Sequence, residues 1–431
     1  MEVIPPPAPI LDGPHQPGIT DPQWPIEPPV PLNLEDQERY AFERAGRVDP
    51  QNFLTVVTAN LAVQTAPELR KVLQDLSSFV RAQMLRRPDN NHIPVLRSLP
   101  ETWRVTVTIG LGASVFISAK GDDRFGLRHA KPRWLRIMPR VTGDKYRPAD
   151  HATDLIFLIS SDHPYVNVSI ARALGQGNWG VAGVKEKRII VTSIEQGFAR
   201  PDRREFLRFD DGIDNLSNAR GGELDRFVYI TAGDGEPDSA IGGSYLAYRK
   251  IREDLPHWEA HAERDQEGMI GRRKASGMPL SRQTTGASNM TPIFPDPNDS
   301  CDGPLTAHIR KVQPRRNGSD LLGVHDLDRR FLRRGYPYFE DLDAEGDVQS
   351  GLLFLAFARD LRKQFEWPVL NWQTNPDFPV TGTGIDALYG SGVLTNIAGG
   401  YYFCPPAPCS EDEFIGSGMF AWPSGVKGRD L

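Results

Sequence analysis

The sequence predicts an α+β fold in which antiparallel sheets carry helices on one face. Three observations predict it. Apolar and polar residues alternate through WRVTVTIGLG at 103–112, as they do in a half-buried strand. Stretches of strand character alternate with stretches whose apolar residues recur at helical spacing. The strands are also not uniformly apolar, as those of an all-parallel sheet would be.

The totals bound the rest. The 431 residues suffice for two to three domains, and 39% hydrophobic with 25% charged residues fits a globular protein with a large core. A net charge of -6 gives no support to a nucleic-acid partner. No run of about 18 apolar residues occurs, so no membrane span is expected. Cys301, Cys404 and Cys409 form no CxxC pair and lack histidines at zinc spacing, which predicts free thiols; a Cys404–Cys409 bridge after export stays open. The first residues show no basic segment followed by an apolar core, so a cytoplasmic protein is expected, with leaderless export left open.

Residues 1–33 are proline-rich and predict an extended arm, loose or strapped across the body. Two domains are expected after it, 34–212 and 213–431. LEDQERYAFERAG (34–46) reads as a short helix. Apolar spacing predicts a helix within 60–87, ending before Pro88. IGLGAS (109–114) lacks the helix start and downstream acid of a dinucleotide site and reads as a strand end. DLIFLISS (154–161) is a strand, 163–174 a helix and 188–198 a strand. This is the ferredoxin-like pattern. It starts again with RFVYIT (226–231) and Gly243–Arg252 as strands, a helix over 258–270, and GLLFLAFAR (351–359) as a strand.

The stretch 305–338 carries one histidine, His308, followed by arginines at 310, 315, 316, 329, 330, 333 and 334. A neutral imidazole is a good iron ligand, and a planar guanidinium holds carboxylate or peroxide oxygens through paired hydrogen bonds. An ordinary basic loop has the same composition. Upstream, RFDDG (208–212) read alone is an Asx turn.

Taken in order, RFDDG, QEGMIGRRKASGMPL, AHIRKVQPR, RRGYPY and GLLFLAFARDLRKQF resemble the dye-decolorising peroxidase family, and WRVTVTIGLG, PRWLRIMPR and DLIFLISSD resemble its amino-terminal half. The resemblance spans about residues 100–400. It implies two ferredoxin-like domains and one haem b per chain, held mainly by the second half. Hydrogen peroxide and an organic reductant, such as a dye or phenol, would be the substrates; a homo-oligomer is compatible with it. Position by position, Asp211 resembles the distal acid–base residue, His308 the proximal iron ligand, and Arg333 the distal arginine. Arg315, in QPR where the family has NPR, resembles a haem-propionate contact. Gly212, Ile213 and Asp214 would pass close to the haem, and GLLF (351–354) would form apolar distal wall.

There are departures. Arg208 stands where the family has its first glycine, which predicts a different bend before Asp211, and Gln313 replaces Asn. The distance from His308 to Arg333 predicts an exposed insertion within 316–330, with His325 on the surface. A carboxylate partner for His308 is expected but unnamed. An aspartate as acid–base predicts an acidic optimum, since such carboxyls titrate near about 4. Trp258, Tyr336, Tyr338, Trp372 and Tyr389 are candidates to relay electrons from bulky dyes, although packing is the commoner role. Two other functions stay open: a haem-handling protein that releases iron from haem or delivers haem, using the same His308 pocket, and a non-catalytic ferredoxin-like interaction module with the proline-rich arm for partner docking.

Overall fold

The computed structural model describes residues 15–20, 50–84, 93–99, 103–179, 187–200, 202, 204–216, 222–281, 284–285, 291–292, 294, 303–316, 323–410 and 412–421. The predicted helix at 34–46 and Cys301 lie outside them.

The first half runs β1 (Phe53–Leu61), α1 (Ala66–Gln83), β2 (Thr106–Gly112), β3 (Leu155–Ser161), α2 (Pro164–Gln176) and β4 (Ile189–Phe198). The second half opens with α3 (Glu223–Phe227), β5 (Ser244–Glu253), α4 (Leu255–Ala260) and α5 (Glu263–Ile270). A small ribbon, β6 (Thr284–Thr285) and β7 (Thr291–Pro292), precedes α6 (His308–Val312), β8 (Leu332–Leu342) and β9 (Val348–Ala358). A π-helical stretch at 362–373, then α7 (Ala387–Ser391) and β10 (Leu394–Cys404), complete the chain.

Strands pair antiparallel in the order β4-β1-β3-β2-β10-β5-β9-β8. The order β4-β1-β3-β2 in the first half repeats as β10-β5-β9-β8 in the second. The ferredoxin-like arrangement therefore occurs twice, as the sequence predicts. The halves join where Tyr402 pairs with Gly112 and Phe403 with Leu111. At the far edges the sheet curls until β4 meets β8: a Cβ on Gly197 would lie 2.7 Å from Tyr336 Cβ.

Because side chains alternate along a strand, the curled sheet has two apolar faces. The outer face, with Ile109, Phe157 and Tyr245, packs on Leu69, Leu73 and Leu76 of α1 and Ile170 of α2. The inner face buries Leu54, Leu158, Leu246, Tyr336, Leu353 and Tyr402. Helix α1 begins with a reciprocal cap, Thr65 accepting from Glu68 N while the Glu68 carboxylate accepts from Thr65 N.

Part of the proline-rich arm is strapped down. Gln16 is buried where β2 and β10 diverge. Its Nε2 donates to Ile109 O (2.9 Å) and Pro405 O (2.8 Å), and its Oε1 accepts from Ile109 N (2.9 Å). Gly18 has φ +89°, and a Cβ there would sit 2.6 Å from Thr108 Oγ1, so the close approach requires glycine. The His15 ring stacks on Tyr229 at 3.3 Å.

Several expectations are corrected. RFVYIT is the end of α3 and a turn, not a strand: Phe227, Val228, Tyr229 and Ile230 are all buried, so the run carries no strand period. The helix over 258–270 is two short helices, α4 and α5, broken at His261–Ala262. Strands β1, β8 and β10 went unpredicted. In β1 the sequence LTVVTA breaks the two-residue period at Val56–Val57, which leaves no clean alternation to read. Cys404 is buried and Cys409 exposed, both as free thiols. No described helix is long and apolar enough to cross a membrane.

Candidate active site

His308 is the first residue of α6 and the sole histidine of its helix. Its Nδ1 donates to Asp386 Oδ2 at 2.6 Å, which leaves Nε2 as the free ring nitrogen. Asp386 is the carboxylate that the sequence left unnamed. It is fully buried and caps α7, accepting from Leu388 N at 3.0 Å and from Gln373 Nε2 at 3.2 Å. The backbone ties the two elements together, since Ala387 N donates to Thr306 O at 2.9 Å. The only sequence signal for Asp386 was that of a helix N-cap.

One turn along α6, the Lys311 ammonium is buried and donates to Asn375 O (2.8 Å), Phe378 O (2.5 Å) and Gly384 O (2.8 Å). Burial pulls its pKa down to about 8, opposed by Asp386. Lys311 thus fixes the loop that delivers Asp386. Lys311→Met should leave three carbonyls short of a donor and cost roughly 3 kcal/mol or more, read as a lower midpoint in thermal or urea unfolding.

Asp211 and Arg333 come together on the outer face of β8. Arg333 and Gly335 are two residues apart and so share that face. Gly335 makes room for the acid: a Cβ there would lie 2.5 Å from Asp211 Oδ2. Asn215 clasps Arg333 through both backbone groups, accepting from its N at 3.0 Å and donating to its O at 2.7 Å. The Arg333 guanidinium donates to Ile213 O at 2.8 Å. Gly335 and Asn215 carried no signal legible in the sequence.

A positive φ stands at 208 although the residue there is not glycine. Arg208 adopts φ +69°, a left-handed conformation natural to glycine and strained for arginine. Its side chain makes one exposed ion pair, to Glu259 at 2.7 Å. Arg208→Gly is therefore expected to shift stability by no more than about 1 kcal/mol, relief of strain offsetting the freer unfolded chain. Equilibrium denaturation measures it; a loss of several kcal/mol would show that the bend depends on arginine.

Around Asp214, guanidinium groups crowd together. Arg315, itself at φ +51°, donates to Asp214 Oδ2, and its Nε is buried without a partner among the described residues. Burial, with Arg330 and Arg333 nearby, pulls Arg315 down to about 9. Burial and Arg333 likewise bring Arg272 to about 10.

Of GLLF, only Leu352 and Phe354 face the side of Arg333; Leu353 lies in the inner core. His325 is exposed, as expected. The 316–330 segment is not wholly an exposed insertion. Arg316 forms a two-pronged pair with Asp326 at 3.0 Å, and Arg329 is fully buried over the Trp367 ring at 4.3 Å. Trp258, Tyr336, Tyr338 and Trp372 are at most 2% exposed and Tyr389 is half-buried, so the packing role fits these aromatics.

The Dyp-type peroxidase N-terminal model matches residues 48–188 and the C-terminal model residues 202–408. Proteins named deferrochelatase are similar: that of Shigella sonnei is 26% identical over 94% of this chain and 86% of its own length, and that of Escherichia coli K12 is 27% identical over the same shares. Among solved structures, a DyP-type peroxidase from Streptomyces coelicolor has a TM-score of 0.70 at 26% identity, covering 95% of this chain and 96% of the other. Ferric DtpA from Streptomyces lividans has a TM-score of 0.69 at 26% identity, covering 94% and 95%. Both family models fall on the two halves of the sheet, and the chain belongs to the Dyp-type peroxidase family of oxidoreductases.

Proposed function

We propose that this protein is a haem b peroxidase that reduces hydrogen peroxide and oxidises dyes, phenols or other organic reductants. The observation that carries the reading is the His308–Asp386 pair, a histidine engaged by a buried carboxylate, in a chain that also sets Asp211 and Arg333 on one face of β8.

The residues fit haem. With Nδ1 engaged by a buried carboxylate, His308 offers Nε2 as a neutral iron ligand, and Asp386 strengthens its donor character. Arg315 and Arg330 already pair with Asp214 and Glu223, yet the buried Nε of Arg315 has no partner among the described residues and Arg333 adds a further positive charge nearby, which suits the anionic haem propionates. Leu352 and Phe354 supply apolar wall, and Gly212, Ile213 and Asp214 form the loop beside it. Bound haem supplies the redox-active iron.

The chain's own groups do the rest. Asp211, held over Gly335, takes a proton from one peroxide oxygen and returns it to the departing oxygen. Arg333 is fixed by Asn215 and Ile213, so its charge already stands where negative charge develops. An absorption spectrum of the purified protein, before and after peroxide, tests the reading. A haem band that responds to peroxide is expected, and His308→Ala should abolish it. A protein unable to take up haemin would sink the proposal.

The name of the curated relatives, deferrochelatase, favours one second reading: a protein that releases iron from haem, with peroxidase activity incidental. Iron release from added haem, set against peroxide-dependent dye turnover, separates the two.

A further inference from the structure

The outer face that carries Arg333 and Asp211 continues into a buried acidic pair. Ser350 on β9 lies two residues from Leu352 and is the register partner of Glu253 on β5, so Leu352, Ser350 and Glu253 share one face. Leu352 in turn lies beside the Asp211 carboxylate over Gly335. Glu253 is 5% exposed and Ser350 2%. Glu253 Oε2 and Ser350 Oγ are both buried without a hydrogen-bond partner among the described residues. A buried carboxylate with no donor is expensive, whereas a neutral carboxylic acid is tolerable and has a proton to give.

Glu205 is the second acid. It is half-buried inside the turn that leads to Asp211, accepting from Leu207 N at 2.5 Å and Phe209 N at 3.2 Å. The Trp258 indole, just after Glu253 in the chain, donates to Leu207 O at 3.3 Å and locks that turn to the end of β5. The charges facing the pair come from several elements. Asp211 and Lys274 face Glu205, while Glu205, Asp211 and Tyr338 face Glu253. Arg208, Glu259 and Glu263 surround Lys274. Burial, then the nearby Asp211, pushes the Glu205 carboxyl up to about 8; burial, with Glu205 and Asp211, pushes Glu253 well above its usual range.

The chemistry has a use for stored protons. Reducing one hydrogen peroxide to two waters takes up two electrons and two protons. A dye too bulky to enter delivers electrons only, so the protons need their own route. We propose that Glu253 and Glu205 form a buried proton store that resupplies Asp211, Glu205 passing protons in from solvent and Glu253 holding one in reserve. This rests on the reading of Asp211 given above. A cation site is disfavoured, because no group of three His, Cys, Asp or Glu side chains among the described residues could hold a metal ion.

Glu253→Gln and Glu205→Gln in the haem-loaded protein test it, by infrared spectroscopy and by dye turnover against pH. At neutral pH, Glu253→Gln should lose a carboxylic-acid C=O band that shifts in heavy water, and turnover should fall at least about tenfold with the haem spectrum unchanged. Wild-type turnover should decline as pH rises through about 8, where Glu205 gives up its proton, and Glu205→Gln should remove that step. No lost band, or wild-type turnover and pH profile in both variants, overturns the store. Asp211→Asn, run beside them, separates the two ideas: full activity there refutes the acid–base reading itself, whatever the infrared band shows.

Discussion

Asp211→Asn is expected to bind haem normally and to lose peroxide turnover by roughly a hundred- to ten-thousand-fold, the range for removing a positioned general acid–base group. The amide keeps the size of the side chain, so Gly335 still accommodates it and Gly212 N can still donate to its oxygen, as it now does at 2.7 Å. Only the carboxylate's capacity to take up and return a proton is lost. Arg333→Leu should also lose activity, because no other guanidinium is fixed on that face of β8 by Asn215 and Ile213. Stopped-flow mixing with peroxide measures both. An Asp211→Asn protein as fast as wild type, beside an inactive Arg333→Leu, would move the acid–base role elsewhere.

Asp386→Asn is expected to weaken haem binding or turnover by about ten- to a hundredfold, the usual penalty for losing the partner of a ligating histidine. The reason is local. Asp386 accepts from His308 Nδ1, Gln373 Nε2 and Leu388 N, and an amide has one acceptor oxygen for three donors. His308 would then lose either its orientation or its charged partner. Titration of the haem-free protein with haemin, followed by absorption, separates weaker binding from slower turnover. Unchanged affinity and unchanged turnover would show that Asp386 serves only to cap α7.

Much of this site was legible in the sequence, and the legible part has a common character. His308, Arg315, Arg333 and Asp211 lie in short motifs, each ambiguous alone, that point to chemistry when they occur together in order. Asp386 was hidden because its role depends on α7 packing against α6, 78 residues away in the chain. Gly335 and Asn215 were hidden because one acts by having no side chain and the other through backbone bonds to Arg333. Strand alternation found β2, where Thr106 and Thr108 alternate with apolar residues although every position is buried, but not β1, whose period breaks at Val56–Val57. RFVYIT misled because a buried turn and a buried strand have the same apolar composition. Arg208 departs from the expected glycine in residue type, and its left-handed φ could be seen only in the structure.

The strapped arm bears on the order in which the molecule is completed. Gln16 bonds to Pro405, 389 positions later, and His15 accepts its place against Gly242 and Tyr229. A segment near the start of the chain therefore has no seat until β10, near the other end, has joined the sheet. During synthesis, these residues must wait while almost everything else is made, and their docking is a late, long-range closure rather than a nucleus. Protection of the Ile109 amide, which Gln16 covers, should accordingly be among the last to develop in pulse-labelled hydrogen exchange during refolding.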